Sequence, residues 1–194
     1  MKHHHCHSKE HIARKIEALD NPKRREALPP ETLLSTLPIQ QDDTILDAGA
    51  GTGFITIPAA KRVDGNVYAL DIDSNMLEVI TSKAEKEQLS NIKPIQGSMD
   101  ELPLPDHSVD VVLASLVLHE VEDLSHALQE MKRVLKEDGY FACVEIEKKD
   151  HPTHNHPRIA STNMEQELAH AGFHVQQTVF PTDDLYIMIA QKSK

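Results

Sequence analysis

The chain has 194 residues with 31 Asp and Glu against 20 Lys and Arg, a formal net charge of −11, the wrong sign for neutralising a phosphate backbone. Three Tyr, four Phe and no Trp leave little aromatic surface for stacking bases, so nucleic acid is excluded as the expected substrate. No apolar run of ~18 residues suits a membrane span and no leader pattern opens the chain, so one cytoplasmic domain, residues 1–194, is expected.

Residues 1–10 have no apolar periodicity and are expected to be loosely ordered. His3, His4, His5, Cys6 and His7 are weak candidates for a soft or borderline metal, because ligands so close in sequence cannot form a rigid tetrahedral site by themselves. Cys6 and Cys143 sit in unlike contexts, so no disulfide framework is expected. Ile12, Ile16 and Leu19 recur at helical spacing, which predicts a short amphipathic helix over 10–19, stopped by Asn21-Pro22. Lys23-Arg24-Arg25, the sole dense basic patch, reads as a solvated helix end. A second helix is predicted over 31–37, entered through Pro29-Pro30 and carrying Leu33, Leu34 and Leu37.

Thr44 to Gly53 reads Thr-Ile-Leu-Asp-Ala-Gly-Ala-Gly-Thr-Gly, a buried strand running into glycines at alternate positions. Missing Cβ atoms allow a ligand close to the backbone and permit the positive φ of a sharp strand-to-helix turn. A helical pattern follows, and Pro58 must lie in its first turn, so that helix should begin near Phe54 or Ile55. A dinucleotide loop has the spacing Gly-x-Gly-x-x-Gly, but Phe54 stands where its third glycine belongs. Asp47, Gly49, Gly51 and Gly53 instead fit Asp-x-Gly-x-Gly-x-Gly, which resembles motif I of the class I, Rossmann-like S-adenosylmethionine-dependent methyltransferases. The resemblance implies that the backbone of Gly49, Ala50, Gly51 and Gly53 lies along the methionine part of the cofactor. It also implies that Asp47 helps orient the methionine amino group.

A second buried strand, Val67 to Leu70, ends in Asp71, 18 residues beyond Gly53. A carboxylate there faces the crevice and can accept hydrogen bonds from adjacent ribose hydroxyls, with Ile72 beside it; this placement suits either a methyl donor or NAD. Asp73 and Ser74 offer caps for a helix to about Gln88 with Met76, Leu77, Ile80 and Ala84 on one face. A weaker third strand spans 91–96, and the resemblance then implies adenine contacts from Ser98 and the Met99 N–H. The family's usual Asp is Ser98 here, and Asp100 is a nearby substitute.

The fourth strand, 109–115, continues past Ser115 to His119 and Glu120, which open into the same crevice and are the acid/base candidates; both can instead orient the loop by bonding backbone. A helix over 124–135, stopped at Asp138-Gly139, and a fifth strand over 140–146 follow. The polar segment 148–157 carries His151, His154 and His156 and reads as an acceptor-side loop. Thr162-x-x-Glu165 resembles a capping box for a last helix ending at Ala171-Gly172. Strands over 173–179 and 185–190 close the chain.

Alternating strands and helices argue an α/β, doubly wound, mostly parallel sheet with helices on both faces. The resemblance, strongest over residues 40–146 and similar to the small ubiquinone/menaquinone methyltransferases, implies seven strands ordered 3-2-1-4-5-7-6 with strand 7 antiparallel. It further implies a Rossmann-like core over 40–194 and helices over 11–39 covering the acceptor side. The expected activity is methyl transfer from S-adenosylmethionine to a small-molecule acceptor by in-line displacement, with S-adenosylhomocysteine as product. Two alternatives stay open: an NAD(P)-type oxidoreductase, and a non-catalytic nucleoside- or metal-binding regulator. Nothing in the sequence speaks to oligomeric state.

Overall fold

The computed structural model describes residues 3–148 and 157–193. His151, His154 and His156 lie outside the described residues, as do the side chains of His3, His4, His5, Cys6 and His7.

Seven strands form one sheet: β1 (Ile45–Ala48), β2 (Val67–Asp71), β3 (Ile92–Gln96), β4 (Val109–Ser115), β5 (Leu135–Ile146), β6 (Phe173–Thr182) and β7 (Leu185–Lys192). Their order is β3-β2-β1-β4-β5-β7-β6, with β7 antiparallel to both β5 and β6 and the other pairs parallel, as expected. The inner strands are apolar at consecutive positions because both faces of the sheet are covered. Leu46, Val112 and Phe141 meet α6 (Leu124–Val134) and α7 (Ser161–His170) on one face. Ile45, Val111 and Leu113 meet α3 (Pro30–Ser35), α4 (Thr56–Arg62) and α5 (Ser74–Lys86) on the other. Strand β3 is one of the two edges, with burial falling off along it and Pro94 tolerated there.

Several boundaries differ from the sequence reading, each for a local reason. Helix α1 runs His3–Leu19 where a loose start was expected, since no Pro or Gly interrupts the chain before Asn21. Asn21-Pro22 ends that helix and starts another, α2 (Pro22–Ala27): the Asn21 side chain accepts from Lys23 N at 3.0 Å and Pro22 takes the first helical position. Strand β5 begins at Leu135, five residues before the expected start, because Asp138-Gly139 forms an irregularity inside the strand. Asp138 adopts φ +64°, and the pairing with β4 shifts between Val109↔Leu135 and Val111↔Tyr140. Thr162 does not cap α7. That helix starts at Ser161, whose N–H is accepted by Glu147 Oε1 at 3.1 Å, so a carboxylate just past β5 replaces the expected local box. Among the described residues no helix is long and apolar enough to cross a membrane.

Candidate active site

The sheet order puts the turn-backs after β1, β2, β3 and β4 at one rim, on either side of the point where connections reverse direction. A cavity of about 950 Å³ opens there, at the upper end of the ~300–1,000 Å³ usual for small-molecule sites. The start of the loop after β1, Gly49 to Gly51, lines it. Gly49 N and Ala50 N both donate to Leu70 O, at 2.9 and 2.8 Å, which turns the chain across the end of β2.

The glycines serve different purposes. Gly49 has φ +72°, and a Cβ on it would stand 2.4 Å from Val117 Cγ2, so it is needed for packing against the turn after β4. At Gly51, φ +53°, the nearest atom to such a Cβ is Leu19 Cδ1 at 3.4 Å, so its free side faces α1 and the cavity. Gly53 packs over Ile57 and Ile80, off the cavity. The helix after the loop starts at Thr56, slightly later than expected, with Pro58 in its first turn.

Asp71 lines the cavity and organises it. Its Oδ2 accepts from Gly51 N at 2.8 Å and its Oδ1 from Asp73 N at 2.9 Å, leaving further lone pairs for ligand hydroxyls. Next to it Ile72 is 72% exposed, an apolar face at the lip. Across from these, Ser98 and Met99 also line the cavity, but the Ser98 hydroxyl is committed to Asp100: it donates to Oδ2 at 3.0 Å and accepts from Asp100 N at 3.2 Å. Asp100 Oδ1 is a buried acceptor without a partner among the described residues. Asp100, an acid lining the same cavity as the apolar Ile72, fits a purine amine, and the paired acceptors of Asp71 fit a ribose diol. The donor and acceptor set therefore fits an adenosine cofactor.

Asp47 lies beneath the loop, outside the cavity lining, fully buried on β1 and accepting from Thr56 Oγ1 at 2.6 Å. Burial pushes its carboxyl up to about 6, opposed by the Thr56 hydrogen bond and the Arg24 guanidinium. Between pH ~3.8 and ~6 the unfolded chain has lost this proton and the folded one keeps it, so stability falls as pH rises through that window. The total is about 3 kcal/mol. Asp47→Asn should therefore melt several degrees above the wild type at pH 7.5, with the gap closing near pH 4. Thermal melts at the two pH values check this; an unchanged or lower midpoint at pH 7.5 would mean that burial of the charge is already compensated.

Ser115 and Glu120 line the cavity, but His119 does not. His119 Nδ1 lies 2.7 Å from Glu145 Oε2, and Glu145, completely buried on β5, also accepts from Val117 N and Leu118 N at 3.0 and 2.8 Å. This hydrogen bond raises the His119 pKa, with burial opposing it.

Sequence reasoning missed several residues of the site, Arg24 chief among them. Arg24 on α2 lines the cavity instead of facing solvent, with its guanidinium 4.3 Å from the centre of the Phe54 ring. The available signal was Asn21-Pro22, a cap and first position that set the helix carrying it. Lys15 and Leu19 line the same side, and Lys15 Nζ bonds Asp73 at 3.1 Å. Asp20 accepts from Thr52 Oγ1 at 2.6 Å and from Lys83 at 2.9 Å. Through these contacts α1 and α2 come down on the glycine-loop side of the crevice.

Residues 46–143 match the family described as "Methyltransferase domain". A demethylmenaquinone methyltransferase from Geobacillus sp. (strain WCH70) is 37% identical over 117 residues, 59% of this chain and 50% of that protein. The chain thus spans about half the length of the curated relatives it matches. A solved SAM-dependent methyltransferase from Aquifex aeolicus superposes with a TM-score of 0.83 at 29% identity, covering 91% of this chain and 96% of that one. The [4+2]-cyclase SpnF shares the fold alone, with a TM-score of 0.78 at 16% identity over 86% of this chain and 80% of its own.

Proposed function

The chain belongs to the methyltransferase domain family, the class I S-adenosylmethionine-dependent methyltransferases, and from that premise we propose that it methylates a small, quinol-like acceptor. The observation that carries the proposal is a single cavity joining the nucleoside-fitting residues Asp71 and Asp100 to an apolar rim of Leu116, Val117 and Val121. The names of the curated relatives supply the acceptor class. The dinucleotide alternative lacks the glycine spacing, and the family that residues 46–143 match is a methyltransferase domain.

Bound S-adenosylmethionine supplies a methyl on a sulfonium, whose C–S electrons leave with the sulfur. What remains for the protein is alignment at about 3 Å and exclusion of water. An oxidised quinone ring is electron-poor and does not attack a methyl carbon; the reduced hydroquinone, once a phenolic proton is lost, does so through a ring carbon, whose own C–H proton then leaves as the phenol is reprotonated, so that one proton is released overall. Asp71 and the backbone of Gly49 to Gly51 hold the donor's nucleoside and methionine parts. Leu116, Val117 and Val121 pack the acceptor ring. Glu120, on the cavity wall, accepts the acceptor's proton, and His119 acts one layer back, on the turn that carries Glu120.

The test is to incubate the protein with S-adenosylmethionine and a short-tailed demethylmenaquinone, with and without a reductant. S-Adenosylhomocysteine and a singly methylated product should form only in the reduced arm. Tight binding of S-adenosylhomocysteine with transfer to amines or thiols, and none to any reduced quinone, would overturn the acceptor class.

A further inference from the structure

Five carboxylates line the cavity (Asp71, Asp73, Asp100, Glu120 and Glu122), against two cations, Lys15 and Arg24. Lys15 is bonded to Asp73. Among the described residues Arg24 is the one cavity-lining cation with no carboxylate hydrogen-bonded to it. Its polar contact is a 3.5 Å approach of Nη2 to Ser115 Oγ, at the outer limit of a hydrogen bond. Burial lowers its pKa, with Asp47 and Asp20 opposing this only through space. The half-buried guanidinium is thus held in place without a direct counter-ion.

The holding device is specific. The Arg24 Cζ sits over the Phe54 ring, 4.3 Å from its centre, a cation–π contact that holds the group without using up its N–H donors. Those donors form a planar fork that matches a carboxylate. Phe54 belongs to the glycine loop, and Ser115 ends β4, so Arg24 stands at the end of the crevice away from the Ser98 to Asp100 turn. Asp47 lies close by under the same loop.

We propose that Arg24 is the anchor for the α-carboxylate of the cofactor's amino-acid tail, so that α1 and α2 are a cover over the cofactor. The inference rests on the methyltransferase reading. A guanidinium above the loop and the Asp47 carboxyl beneath it give the amino-acid end both signs of a zwitterion. The ties from α1 and its C-terminal end to the core, Lys15 to Asp73 and Asp20 to Thr52 and Lys83, then close the cover on the donor side, and the carboxylate completes the closure.

The experiment crosses one protein change with one ligand change. Calorimetry would measure S-adenosylhomocysteine and its decarboxylated analogue, which keeps the ammonium and loses only the carboxylate, on wild type, Arg24→Gln and Arg24→Lys. Wild type should prefer S-adenosylhomocysteine by roughly 10- to 100-fold, the worth of a buried charge-assisted pair. Arg24→Gln should prefer it by less than about threefold, and Arg24→Lys should fall between, keeping the charge without the fork. The same preference in Arg24→Gln as in wild type would overturn the assignment, as would an equal loss of affinity for both ligands, which marks a purely structural arginine. A wild type that binds neither ligand would instead sink the methyltransferase reading itself.

Discussion

Asp71→Ala should weaken S-adenosylhomocysteine binding by roughly 2–4 kcal/mol, about 30- to 1,000-fold, the largest expected loss at any cofactor residue. The size follows from the double duty of the side chain. Its two oxygens accept from Gly51 N and Asp73 N, so alanine removes the acceptors offered to the ribose and releases the loop and the start of α5 at the same time. Asparagine should rescue little, because its NH₂ must face one of those two backbone donors. Ser98→Ala is the control: that hydroxyl holds Asp100 in place and should be worth only about 1 kcal/mol of binding. Calorimetry on the three variants, each first shown to melt cooperatively, gives the ranking. A larger loss at Ser98 than at Asp71 would place the ribose at the β3 turn and reverse the orientation of the nucleoside.

What could be read from the sequence is what the backbone imposes locally. Alternate glycines at 49, 51 and 53 and the mostly apolar run 109–115 are demanded by positive φ and by a strand covered on both faces, so strand and loop were legible together, while the strand order came from the resemblance to the family. The site residues that escaped act across long separations. Arg24 meets Ser115 over 91 positions, and Glu145 reaches back 26 positions to His119. No spacing rule encodes such contacts. Glu145 does leave a trace, an acid in the otherwise apolar stretch Phe141 to Ile146 at a position the sheet buries completely. Buried carboxylates need partners, and here two backbone N–H groups and an imidazole supply them. The same distance effect explains the cap of α7, where Glu147 takes the place of the local Thr162 motif. The glycine argument was right about the loop and incomplete about its cause, since Gly49 answers to Val117 and only Gly51 leaves its free side toward the cavity.

Glu145→Ala should be the most destabilising single change at the rim. Three donors converge on this carboxylate, and all belong to the turn after β4, where Leu116 is held at φ +57°, a left-handed conformation uncommon for leucine. Alanine strands two backbone N–H groups and the imidazole beside the core, a loss of roughly 3–5 kcal/mol and a fall in melting midpoint of about 10 °C or more. Turnover should fall with it, because Leu116, Val117 and Glu120 on that turn form the cavity wall, whereas S-adenosylhomocysteine affinity in Glu145→Gln, which keeps the shape, should change little. His119→Ala removes one donor of three and should lower stability by about 1–3 kcal/mol. The Glu145 hydrogen bond raises the His119 pKa, so its stabilising contribution is full below the unfolded value of ~6.5 and is lost as pH rises through the higher folded value. The melting gap between wild type and His119→Ala should accordingly be widest near pH 6 and narrow toward pH 9. A His119→Ala protein with wild-type stability at both pH values and abolished turnover would reverse the assignment, making the imidazole a participant in proton transfer and leaving Glu145 as its orienting partner.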